Sequence, residues 1–77
     1  MIIKVLGGGC PNCKILEENV KMALKELDKQ AEIQKVTNME DIMMYDIMGT
    51  PALVIDEKVV SSGKINSPDE IIDFIKS

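Results

Sequence analysis

Cys10 and Cys13 are the two thiols of this 77-residue sequence, and they stand two residues apart near the N-terminus. A pair at that spacing can pass between dithiol and disulfide, hold a two-coordinate soft ion such as Cu(I), or staple a turn. Zinc or an iron–sulfur cluster generally needs four protein ligands, and with two cysteines and no histidine one copy of the chain cannot supply them. Stapling gives little, because clamping a four-residue loop is worth roughly 2 kcal/mol at most in the chain-entropy model. Cytosolic cysteine pairs are also seldom structural. Two-electron thiol chemistry is therefore the leading reading and soft-metal binding the second.

The residues around the pair sharpen this. Pro11 suits the first position of a helix, where its missing N–H would have had no partner. That places Cys10 at the N-cap and Cys13 two positions after Pro11, on the same helix face. A sulfur at the N-cap lies before the free amides of Asn12 and Cys13 and the positive end of the helix dipole, so it is stabilised as thiolate. In such settings a cysteine falls from about 8.5 to between roughly 3.5 and 7.5. Cys10 is the expected nucleophile, with Pro11 and Asn12 supporting it, and Cys13 the resolving thiol. With no histidine to take the Cys13 proton, a carboxylate such as Glu17 or solvent must do so.

The elements that hold this pair can be read from periodicity. Residues 2–6 (Ile-Ile-Lys-Val-Leu) form a β-prone run ended by three glycines. From Pro11 to about Gln30, Leu16, Val20, Ala23, Leu24 and Leu27 recur at helical spacing. Residues 32–37 form a second strand. A short helix from about Met39 to Asp46 follows, capped by Thr37 or Asn38. Ala52 to Asp56 and Lys58 to Ser61 make a hairpin turning at Asp56-Glu57. The last helix opens with a capping box at Ser67-Pro68-Asp69-Glu70 and buries Ile71, Ile72 and Ile75. Met39, Met43, Met44 and Met48 read as core filler, with Met48 also suited to an adaptable docking surface. The order is βαβαββα. It predicts one three-layer α/β domain over residues 1–77, with a four-stranded mixed sheet and helices on both faces.

Composition excludes several classes. Hydrophobic residues are 45% and charged residues 29%, a globular balance. No apolar run approaches the roughly 20 residues needed to span a bilayer, and no secretory signal pattern opens the chain, so a cytoplasmic protein is expected. Nine lysines against thirteen acids give net −4, and with one Tyr and one Phe there is neither a basic stripe nor a stacking platform for nucleic acid. The triple glycine lacks the spacing of a phosphate loop.

The strand, the glycine turn, Cys10-Pro11-Asn12-Cys13-Lys14 opening a helix, and Gly49-Thr50-Pro51-Ala52-Leu53 before a hairpin and terminal helix together resemble the thioredoxin superfamily. The likeness covers nearly the whole chain and is strongest to its small, glutaredoxin-sized, thioredoxin-like redox-active disulfide proteins. The resemblance implies a thiol–disulfide oxidoreductase that needs no cofactor. It also implies that Pro51 is cis and lies against the dithiol, that Thr50 offers backbone hydrogen bonds to a substrate strand, and that Gly63 leaves room at the dithiol face. Three departures stand out. Gly9 replaces the tryptophan before the dithiol, Lys4 replaces the buried acid of the first strand, and the glutathione-binding Gly-Gly pattern is not reproduced at Ser62-Gly63-Lys64-Ile65.

The expected partners are proteins with disulfides, and a reductase or low-molecular-weight thiol as electron donor. Neither nucleic acid nor membrane is expected as a partner, and the chain is expected to act as a monomer. The alternatives are a Cu(I) chaperone and a non-catalytic redox sensor. Copper-carrying ferredoxin-like domains also place CxxC after the first strand, but they run βαββαβ and end in a strand.

Overall fold

The computed structural model describes residues 1–7, 11–47 and 49–76. Its elements are β1 (Ile2–Leu6), α1 (Pro11–Leu27), β2 (Glu32–Val36), α2 (Met39–Met43), β3 (Ala52–Ile55), β4 (Lys58–Ser62) and α3 (Pro68–Lys76). They form a four-stranded mixed sheet in the order β2-β1-β3-β4. β1 and β2 run parallel, with Val5 beside Lys35, whereas β3 is antiparallel to both β1 and β4. The parallel pair needs a long crossover, which α1 supplies. The antiparallel β3–β4 pair needs only the two-residue turn at Asp56 and Glu57, whose φ angles of 48° and 68° match the twist of the strands.

Alternation along the central strands sorts side chains onto two faces. Ile3, Val5, Leu53 and Ile55 pack against Leu16, Val20, Ala23 and Leu24 of α1 and Ile71 and Ile75 of α3. Leu6, Ala52 and Val54 pack on the opposite face against Ile42 of α2. All four residues of β3 are buried, as expected of a strand covered on both sides.

Local chemistry fixes the helix ends. Ser67 and Glu70 form the expected capping box, Glu70 N donating to Ser67 Oγ and Ser67 N to Glu70 Oε1, each at 3.3 Å. Asn38 caps α2, its Oδ1 accepting from Glu40 N at 2.9 Å. Helix α1 ends earlier than Gln30. Asp28 takes φ 52°, its N–H donates to Lys25 O, and the Lys29 N–H reaches Leu24 O at 3.0 Å. This is a left-handed helix terminus with an aspartate where glycine is usual.

Helix α2 is also shorter than its spacing predicts, and it corrects the assignment of its methionines to the core. Met39, Met43 and Met44 are exposed, and Ile42 alone of this helix is buried. A five-residue helix has room for only one inward position, and Ile42 takes it.

Candidate dithiol site

Helix α1 starts at Pro11, as the helix-entry argument requires, and places Cys13 in its first turn. The Cys13 side chain is buried, 7% exposed, and its sulfur is disulfide-bonded. Cys10, the other cysteine of the sequence, lies outside the described residues together with Gly8 and Gly9. The reading of Cys10 as an N-cap thiolate therefore stands on the sequence. Pro11 and Asn12 are both exposed at the helix start.

Two segments, the end of β1 and the Pro51 loop, meet beside Cys13. Gly7 continues β1, donating its N–H to Val36 O at 2.9 Å, and a Cβ added at Gly7 would collide with Cys13 Sγ and stand 4.0 Å from Pro51 Cα. The Thr50–Pro51 peptide bond is cis, with Thr50 exposed and Pro51 buried. Gly7 is the site residue that sequence reasoning missed. Its local pattern says only that a strand ends there, and the requirement for a bare backbone arises from helix α1 across the fold.

Gly63 stands behind the proline loop. Its N–H is shared between Pro51 O at 3.0 Å and Gly49 O at 3.2 Å. A Cβ at Gly63 would meet nothing within 4 Å, but its φ of 67° lies in the region that disfavours other residues. The glycine here is required by backbone sign, and its direct contact is with the loop carrying Pro51. Met48 lies outside the described residues.

The charged side chains near the site fall into two separate groups, Lys4 with Glu57 and Glu17 with Lys21 and Lys35. Lys4 points away from α1, because strand alternation puts Val5 and Gly7 on that side. Its Nζ donates to Tyr45 Oη at 2.9 Å and pairs with Glu57 at 2.5 Å. The Glu57 and Tyr45 contacts hold the Lys4 ammonium above its ordinary pKa, and the same lysine holds Glu57 below the usual carboxylate range. This cluster borders a groove of about 640 Å³ on the α2 side, lined also by Gln34, Asn38 and Asp41. Although larger than the cleft beside Cys13, that groove lacks the thiol chemistry.

The cleft beside Cys13 is about 50 Å³ and is lined by Val5, Gly7, Cys13, Lys14, Glu17, Lys35 and Thr37. Glu17, one turn along α1 from Cys13, pairs with Lys35 at 3.0 Å and Lys21 at 3.6 Å, and its side chain is 15% exposed. The Lys35 contact holds its carboxyl below the ordinary range. A carboxylate so stabilised is a weaker base than a free one. Among the described residues, no three of the Cys, Asp and Glu side chains come together as a metal site, and no helix is long and apolar enough to cross a membrane.

Comparison with known proteins agrees with this geometry. A family model described as "Thioredoxin domain" matches residues 1–76. The chain is 42% identical over its full length to a thioredoxin of Methanocaldococcus jannaschii, covering 88% of that protein. It is 37% identical over 71 residues to a thioredoxin of Methanothermobacter thermautotrophicus, covering 92% of each. With a cis proline packed near a disulfide-bonded cysteine at a helix start, and relatives that align along nearly their whole length, this chain belongs to the thioredoxin family and is an oxidoreductase at the level of that family.

Proposed function

We propose that the protein exchanges electrons with protein disulfides through Cys10 and Cys13. The observation that carries this reading is the disulfide-bonded Cys13 in the first turn of α1, set against Gly7 near cis-Pro51. The Cys10 thiolate attacks one sulfur of a substrate disulfide, forming a mixed disulfide and releasing the other substrate sulfur as a thiolate that takes a proton. Cys13 then loses its proton and attacks the Cys10 sulfur, freeing the second substrate thiol. The substrate has gained two electrons and the Cys10–Cys13 pair has lost them. A protein reductase or a low-molecular-weight thiol returns them.

Thr50 contributes backbone hydrogen bonds to the substrate chain, and Pro51, lacking an N–H, keeps that edge open. Gly63 holds the loop in place, and Pro11 and Asn12 start the helix that ionises Cys10. The protein works as a monomer in the cytoplasm, with neither nucleic acid nor membrane as partner. The copper-chaperone alternative is weakened by the element order, in which helix α2 follows β2 where a βαββαβ domain has a third strand.

Turnover of a protein disulfide with an excess of small-molecule reductant tests the reading. Cys10→Ser abolishes turnover, whereas Cys13→Ser accumulates a mixed disulfide at Cys10. If both variants reduce the substrate as fast as the parent protein, the proposal fails. If the pair oxidises reversibly without turnover, the sensor reading replaces it.

A further inference from the structure

The α2 end of the molecule carries an apolar surface that disulfide exchange alone does not require. Met39, Met43 and Met44 are 69%, 78% and 84% exposed. With Ile47, Gly49 and Thr50 they line an open groove of about 500 Å³. Clustered exposed apolar side chains mark interaction surfaces, and the flexible, polarizable thioether suits one that adapts to varied partners.

Two observations identify the occupant. The groove ends at Thr50, next to cis-Pro51, so it is continuous with the face assigned to substrate above. From Thr37 to Glu57 the sequence carries five acids and no lysine: Glu40, Asp41, Asp46, Asp56 and Glu57. Glu57 is paired with Lys4, and Asp56 Oδ1 accepts from Ile2 N. Glu40, Asp41 and Asp46 are exposed and give the methionine surface a negative surround.

We propose that this groove docks the segment flanking a client's disulfide, and that it selects segments that combine apolar side chains with lysine or arginine. The apolar side chains pack among Met39, Met43 and Met44 while the acids steer and orient the basic residues. A second copy of this chain would bring the same acids face to face, so it is disfavoured as occupant. The inference rests on the disulfide-exchange reading and adds to it the class of client.

The test uses the full chain and four disulfide probes. Three are peptides of about twelve residues, long enough to lie extended along the groove, each with one internal disulfide followed by Leu-Leu-Lys-Lys, Leu-Leu-Glu-Glu or Ser-Ser-Lys-Lys. The fourth is 2-hydroxyethyl disulfide, which has no flanking chain. The leucine–lysine peptide is expected to exceed both other peptides in kcat/KM by about tenfold. Its lead over the glutamate peptide should shrink at about 0.5 M salt, as screening demands. In the triple variant M39Q/M43Q/M44Q, the ratio of kcat/KM for the leucine–lysine peptide to that for 2-hydroxyethyl disulfide should fall about fivefold, through KM. Equal rates on all three peptides, or an unchanged ratio in the variant, overturn the docking surface and leave disulfide exchange standing. Failure of the parent protein to reduce any of the four overturns both.

Discussion

Gly7 and Glu17 flank Cys13 and set two different limits on it. At Gly7 the limit is space, since an added methyl group would collide with Cys13 Sγ. Gly7→Ala is expected to cost about 1–3 kcal/mol, the usual penalty for overpacking, read as a lower urea midpoint of the oxidised protein; an unshifted midpoint would contradict the contact. At Glu17 the limit is charge. Its folded pKa is lowered by Lys35, so the stabilisation it contributes is complete above the ordinary glutamate range and is lost as pH falls through the lowered value. Both lysine partners are more than half exposed, so the pair is worth about 0.5–1 kcal/mol after screening. Glu17→Gln should therefore be less stable than the parent at pH 7, with the difference vanishing toward pH 3. A difference that grows on acidification would contradict the assignment.

Each helix entry is set by short-range chemistry, which makes it both legible and testable. Ser67→Ala removes the Oγ acceptor for Glu70 N and is expected to cost about 1 kcal/mol, with Ser67→Gly recovering most of it. Equal losses for alanine and glycine in denaturant unfolding would contradict the capping role. The same locality explains why the Ser67–Glu70 box and the Asp56-Glu57 turn could be read directly from the sequence, and why the cap of α2 could be narrowed to Thr37 or Asn38, of which Asn38 is the cap. The end of α1 could not, because Asp28 adopts a conformation normally signalled by glycine. The methionines of α2 misled for a related reason: their spacing fits an amphipathic helix, but only Ile42 of a five-residue helix reaches the sheet. Lys4 was readable in principle. Ile3 and Val5 occupy the α1 face of β1, so the residue between them must face the other way, toward Tyr45 and Glu57. Gly7 was not readable, because its neighbour Cys13 arrives from another element.

At the scale of the whole molecule, β1 and β3 carry apolar side chains to both faces, so a short chain sustains two packed layers around one sheet. The site lies where β1 ends, α1 begins and the Pro51 loop enters β3, so its geometry depends on the assembled fold rather than on one segment. The fold places Cys13 there, and the proposed exchange depends on the Cys10–Cys13 pair changing oxidation state. Equilibrating the protein against graded dithiothreitol and glutathione buffers and counting free thiols by mass after alkylation measures that property directly. A single two-electron transition between roughly −270 and −120 mV, abolished by Cys10→Ser and by Cys13→Ser, is the expected result. A pair that stays oxidised to below roughly −300 mV would be a structural bridge and would contradict the account.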